Sequence, residues 1–205
     1  LTATADNLSR PYEAANPPLT VTYTGFYAGD SAADLDTPPT AACDALPSSL
    51  PGNYPIVLSG GNDSNYAITR VNGTLAVTRA AQAITFAPLP AKTYGDGSFF
   101  LGATASSGLA VTYESLHPAV ATVSGNQVTI VAAGSATLRA SQAGDSRYEP
   151  APPANQTLTV NKRTLTVRAE NKTRLYGVAN PPLTQVITGY VTGDGLADLD
   201  TPPTA

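Results

Sequence analysis

Residues 165–205 repeat residues 1–41 at a constant offset of 164, without a gap and with identity at 25 of 41 positions. Asn16-Pro17-Pro18-Leu19-Thr20 returns as Asn180-Pro181-Pro182-Leu183-Thr184, and Gly29-Asp30 returns as Gly193-Asp194. The run from Ala33 to Ala41 is identical to the run from Ala197 to Ala205. A fixed long period is the signature of an array, in which each period folds as a unit and meets its neighbour in one way. The chain is therefore one period and the first quarter of the next. It has no Met and opens in phase with its own repeat. It is expected to be a piece of a longer protein, with any targeting segment outside it.

Each period holds two patterns. Residues 1–80 are expected to form a first module. Leu1-Thr2-Ala3-Thr4-Ala5 and Leu19-Thr20-Val21-Thr22-Tyr23-Thr24 alternate as half-buried strands do. Asn16-Pro17-Pro18 interrupts them, because each proline removes a backbone donor and forces extended geometry before it. Residues 31–35 suit one helical turn with Asp30 or Ser31 as its cap. The proline-rich stretch 37–53 reads as loop. Strands are predicted at 54–58, 66–70 and 74–77, the last two joined as a type I′ hairpin by Asn72-Gly73.

Residues 81–162 carry a different pattern. Seven short strands are predicted, at 84–87, 99–103, 109–114, 119–123, 127–131, 136–140 and 156–160, with no helical period anywhere. This reads as a Greek-key sandwich, with Val120, Thr122, Val128, Ile130, Ala136 and Leu138 facing its core. Residues 163–205 restart the first module and stop before its last three predicted strands. Such a half-sheet has an open edge and needs cover from neighbouring protein. Only six residues separate Val77 from Ile84, and four separate Val160 from Leu165, with no Gly/Ser tract. Short stiff joints favour an elongated rod over beads on a string.

Composition narrows the function classes. Apolar residues make up 42% of the chain, enough for real cores, but charged residues only 13%. A net charge of −4 offers no basic patch, which argues against nucleic acid as a partner. No apolar run approaches the roughly 18 residues of a spanning helix, so no membrane insertion is expected in this segment. With Cys43 alone, no internal disulfide can form. It is expected to be a half-buried small apolar residue, with an intermolecular bridge as the alternative.

The repeated residues carry a family resemblance. Leu1-Thr2, Asn7, Tyr12, Asn16-Pro17-Pro18-Leu19-Thr20, Gly29-Asp30, Tyr66-Ala67-Ile68 and Asn72-Gly73-Thr74-Leu75 together resemble the MBG domain of YGX type. The Tyr-Gly of that type stands at Tyr176-Gly177 but is Tyr12-Glu13 in the first copy, so the backbone there is not expected to need positive φ. Residues 81–162, with Tyr94-Gly95-Asp96, Ala119-Val120-Ala121-Thr122-Val123 and Ala133-Gly134-Ser135, resemble bacterial Ig-like domains of the Big type. The resemblance implies an all-β chain. Its first module, 1–80, is of MBG type, with a β-grasp-like build as one option. Residues 81–162 form an Ig-like β-sandwich, and 163–205 begin a second MBG module. It also implies an extracellular, bacterial-surface location and brings no catalytic residues.

The residues themselves offer little chemistry. His117, before Pro118, is the only imidazole, and Cys43 lies in a different module, so no nucleophile–base pair is expected. The four glutamates are scattered, and nothing selects a carboxylate pair for glycoside hydrolysis. Asp30, Asp34 and Asp36, repeated as Asp194, Asp198 and Asp200, are the calcium candidates; oxygen-rich loops suit that ion. Their spacing matches no EF-hand, and Asp is equally a turn and cap residue. Ten tyrosines allow a sugar-binding surface, although Tyr12, Tyr54, Tyr66, Tyr94 and Tyr148 fall at predicted strand ends. The function expected is a non-enzymatic, self-associating stalk or fibre segment of a surface adhesin or filament. Its partners would be adjacent repeats or neighbouring copies. The alternative is a module that binds surface glycans or another ligand.

Overall fold

Alternating Thr and apolar residues, broken often by Pro and Gly, favour short strands. The computed structural model describes residues 1–204 and is all-β: the described residues form eighteen strands and two single turns of 3-10 helix. The chain divides into two compact units. One comprises residues 1–83, 105–109 and 142–152; the other comprises 84–104, 110–141 and the chain from 153 onward.

The first unit runs β1 (Thr2–Ala5), β2 (Leu8–Pro11), β3 (Val21–Thr24), a helical turn (Ala32–Asp34), β4 (Thr40–Ala42), β5 (Gly52–Ser59), β6 (Thr69–Val71) and β7 (Gly73–Thr78). These make two sheets, β3-β1-β6 and β2-β7-β5-β4. Ala3 and Ala5 of the first face Ile56, Leu58 and Leu75 of the second, and all five are buried. Cys43 packs half-buried against this cluster.

Of the steps from one sheet to the other, two are joints of only one or two residues, from β1 to β2 and from β6 to β7, and an asparagine stands at each. Asn7 Oδ1 accepts the Thr74 N–H (2.8 Å) and Asn72 Oδ1 accepts the Leu58 N–H (3.0 Å). These side chains replace ladder bonds that the crossing strands cannot make. Asn72-Gly73 is therefore not a hairpin turn. β6 pairs in parallel with β1, whereas β7 pairs with β2 and β5. Gly73 is there for closeness, since a Cβ would lie 2.4 Å from the Ala5 carbonyl oxygen.

Other expectations also need correction. The stretch 37–53 is not all loop, because β4 pairs antiparallel with β5 and β5 begins at Gly52. The turn after Tyr12 does require the left-handed region: Glu13 has φ +68° and Gly177, its counterpart, +84°. At Glu13 this conformation carries a backbone cost of about 1–2 kcal/mol, as for any residue with a Cβ.

The second unit contains β8 (Ile84–Thr85), β9 (Lys92–Thr93), β10 (Phe99–Phe100), the first residue of β11 (Thr104–Ala105), β12 (Thr112–Ser115), β13 (Ala121–Ser124), β14 (Gln127–Ile130), β15 (Gly134–Ser141) and β16 (Ala154–Asn161). Sheet β10-β14-β13 and sheet β12-β15-β16-β9 close on a core of Ala121, Val128, Ala136, Leu138, Ala140, Leu158 and Val160. Thr122 is exposed and does not face this core; Ala121 does. Val120 packs half-buried against this core, as expected, but from the turn before the strand, its N–H bonded to the His117 carbonyl, and the pleat phase of β13 starts one residue later than the alternation suggested.

The repeated stretch also lies in the second unit. Its β17 (Thr166–Ala169) and β18 (Gln185–Thr188) pair Thr166 with Thr188 and Ala169 with Gln185. This is the register of β1 with β3, Thr2 with Thr24 and Ala5 with Val21, moved by 164 residues. The helical turn Leu196–Asp198 repeats Ala32–Asp34 at the same offset. The packing is not repeated: Ala3 is fully buried, whereas Val167 is 48% exposed. The strands that cover β1 have no counterpart among the described residues of this second copy.

Candidate functional site

The acidic residues singled out from sequence are turn-builders. Ser31 caps the single helical turn: its N–H and its hydroxyl both donate to Asp34 Oδ2 (2.8 Å each), and its Oγ accepts from the Ala33 N–H. Asp36 Oδ2 accepts from Ser64 N–H (2.8 Å), while the Asp36 N–H donates to Asp63 Oδ2 (3.1 Å). Asp63 Oδ1 in turn accepts from Asn65 and Tyr66 N–H. Asp30 Oδ2 takes the Tyr66 hydroxyl at 2.5 Å, and that hydroxyl accepts from Tyr27 N–H.

The titrations follow from these bonds. Asp34 is held below its ordinary 3.8, first by the Ser31 hydroxyl and then by its N–H. Asp63 is lowered chiefly by Asn65 N–H, and Tyr66 is raised above 10.0 by the Asp30 carboxylate. Asp30, Asp34 and Asp36 thus serve three separate partners. Among the described residues no three His, Cys, Asp or Glu side chains converge on a point where a metal ion would sit.

In the second copy Asp198 Oδ2 accepts the Gly195 N–H (2.7 Å), repeating the cap without the serine hydroxyl. Asp194, Asp198 and Asp200 line a cleft of about 440 Å³ in the second unit, together with Tyr94, Lys162 and Arg163. Asp194 Oδ1 accepts from the Tyr94 hydroxyl (3.3 Å), which holds the Tyr94 proton on beyond its ordinary range.

Cys43 packs half-buried against the first core, whereas His117 is exposed and braces a turn. His117 Nδ1 accepts from the Thr137 N–H (3.0 Å), which pins the turn before β13 to β15. The tyrosines at strand ends mostly spend their hydroxyls on protein: Tyr54 on the Leu50 carbonyl, Tyr66 on Asp30, Tyr94 on Asp194 and Tyr148 on Glu13. Tyr27 and Tyr176 are the exposed ones.

Two buried polar side chains organise the first unit and were not singled out from sequence. Arg10 is 4% exposed and, among the described residues, meets no carboxylate. Its guanidinium donates to Asn16 Oδ1 (2.6 Å) and to the carbonyls of Pro11 and Leu46. Asn16 in turn donates to the Ala45 carbonyl (2.7 Å). Arg10 and Asn16 return as Arg174 and Asn180, and that identity was the available signal.

Gln82 is 6% exposed. Its Nε2 donates to Gln142 Oε1 (2.6 Å) and the Glu149 carbonyl (2.7 Å), and its Oε1 accepts from the Ser107 hydroxyl (2.5 Å). Around it, Ala80 exchanges backbone bonds with Arg147 and Glu149, and Arg79 pairs with Glu149 at 2.7 Å. Residues 142–152 are thereby strapped to residues 79–83.

Turn-making carboxylates, a lone imidazole held by a backbone amide and a register copied at a fixed offset define a repeat-type β module. Residues 1–76 and 165–205, more than half of the chain, match the model of the MBG domain (YGX type), and the chain belongs to that family. It is a family of non-catalytic repeat-type β domains that occur in bacterial surface proteins. No curated protein matches the chain. Among the described residues, no helix is long and apolar enough to cross a membrane.

Proposed function

We propose that this chain is a segment of an extracellular structural array, the stalk or fibre of a bacterial surface adhesin or filament, and that it performs no reaction. In this reading residues 1–80 form an MBG module, 81–162 an Ig-like module of the Big type, and 163–205 the start of the next MBG module. Adjacent repeats and neighbouring copies are its partners. The reading is carried by the 164-residue offset, which keeps sequence and strand register together: Thr2 opposes Thr24 as Thr166 opposes Thr188. Selection that copies a packing register, with its turn chemistry, acts on a building unit.

The reading is tested in the producing bacterium. Antibody against this segment should label intact cells, and deleting whole periods should shorten the distance between label and cell envelope in proportion. Label found only after lysis would refute it.

The second reading is a glycan- or ligand-binding module. It is favoured by the cleft where Tyr94, Arg163 and Asp194 offer an aromatic face and charged hydrogen-bonding groups. Binding on a glycan array that is lost in Tyr94→Ala would establish it; an array without signal would remove it.

A further inference from the structure

The 81–162 stretch carries a tyrosine near each of its ends, and each reaches a carboxylate of the flanking MBG stretch. In the first unit, Asp145 Oδ1 accepts from Arg147 and Tyr148 N–H (2.7 and 2.8 Å), forming a tight turn that presents both side chains. The Tyr148 ring meets the Tyr12 ring edge-on, with centroids 5.7 Å apart and planes at 88°. The Tyr148 hydroxyl donates to Glu13 Oε1 at 2.9 Å. The Arg147 guanidinium stands 5.9 Å from the centre of the Tyr12 ring. Gly144 permits the turn, since a Cβ there would lie 2.4 Å from the Tyr148 carbonyl oxygen.

In the second unit, the Tyr94 hydroxyl donates to Asp194 Oδ1 (3.3 Å) and Arg163 Nε donates to the Gly189 carbonyl (2.7 Å). Gly95 lies so close that a Cβ would fall 2.4 Å from Val191 Cγ2. The repeat adds an independent observation. Asp194 is the counterpart of Asp30, whose phenol partner is Tyr66 from its own module. The same carboxylate thus accepts a tyrosine hydroxyl in both copies, from different parts of the chain.

We propose that these two phenol–carboxylate contacts are the registration sites between successive modules. Tyr148 docks on the Tyr12-Glu13 turn of the MBG module before it. Tyr94 docks on the Gly193-Asp194 turn of the MBG module after it. The inference rests on the three-module reading proposed above. Its chemical content is that each MBG module presents two receiving surfaces for an Ig-like neighbour: a tyrosine followed by a positive-φ residue, and an aspartate after glycine, which takes the neighbour's phenol on Oδ1 whereas Asp30 takes its own module's on Oδ2.

Hydrogen exchange by mass spectrometry on the full chain tests this with Tyr148→Phe, Glu13→Gln, their double variant, Tyr148→Ala and Tyr94→Phe. A net hydrogen bond is worth about a two- to tenfold change in an opening equilibrium. Tyr148→Phe should accelerate exchange in 79–83 and 142–152 by about that factor, with 134–141 unchanged, and the double variant should add little. Tyr148→Ala should exceed it, having lost the ring as well. Tyr94→Phe should accelerate only 189–195. Unchanged exchange at both joints in Tyr148→Ala and Tyr94→Phe overturns the proposal. So does equal acceleration throughout the chain, which would mark general destabilisation. Neither result bears on surface location, so this inference can fail while the array reading stands.

Discussion

Replacing Gln82 with leucine keeps nearly the same volume and removes every polar contact of a buried side chain that ties residues 79–83 to residues 142–152. Three hydrogen bonds disappear: to Gln142 Oε1, to the Glu149 carbonyl and from the Ser107 hydroxyl. Gln142 Oε1 keeps the Gly144 N–H, so it remains satisfied. The Glu149 carbonyl and the Ser107 hydroxyl are left facing an apolar side chain. Each orphaned buried group costs about 1–3 kcal/mol. At mid-range the two groups together cost about 4 kcal/mol; leucine burial offsets about 1–2 kcal/mol of that, which leaves a net loss of about 2–3 kcal/mol. The chain has ten tyrosines and no Trp, so urea unfolding can be followed by tyrosine fluorescence alongside circular dichroism. The first unit should unfold at lower urea with an unchanged slope. A loss below about 0.5 kcal/mol would show that the 142–152 strap is held by something other than Gln82 and would refute the reasoning.

Three further outcomes follow from local geometry. Gly73→Ala should destabilise by about 2 kcal/mol or more, because the new methyl meets the Ala5 backbone and neither strand can yield; thermal melting reads it, and a neutral result would refute the close-approach role given to Gly73. Glu13→Ala should cost about 1–2 kcal/mol by urea titration, since it keeps the left-handed strain and loses the Tyr148 bond, while Glu13→Gly should fall within about 1 kcal/mol of wild type because relief of strain offsets the lost bond. Stability should fall on both sides of a broad neutral plateau. Asp34, Asp63 and Asp145 have lowered folded pKa values, so their contribution is present above about 3.8 and lost as pH drops through the folded values. Tyr66, Tyr94 and Tyr148 have raised folded values, so theirs is present below about 10.0 and lost as pH climbs beyond it; Tyr148→Phe should flatten the alkaline limb.

Alternation located the strands whose two faces differ in burial. β5, β7, β14, β15 and β16 lie within or over the stretches it marked, because one face of each is core and the other solvent. It missed β2, where the inward residue is the buried Arg10 and reads as solvent-facing, and β4, three residues among prolines. It set β13 out of phase because Ala119-Val120-Ala121-Thr122-Val123 is small or apolar enough to suit either face. Asn72-Gly73 misled for a sharper reason: a glycine needed for close backbone approach and one needed for positive φ look identical in sequence. The aspartates were legible as cap and turn residues, since Ser31 and Asp34 have capping-box spacing, and that role is the one the structure gives them. Gln82 was not legible. A glutamine between alanines gives no sign of burial until residues 107, 142 and 149, far along the chain, arrive around it.

The array reading makes its plainest commitment about size. Small-angle scattering from chains of one, two and three 164-residue periods separates stacking from collapse. Modules joined in fixed register should add a constant increment to the maximum dimension with each period, at constant cross-section. A maximum dimension that grows only as about the cube root of chain length, as a single compact domain's does, would contradict the account.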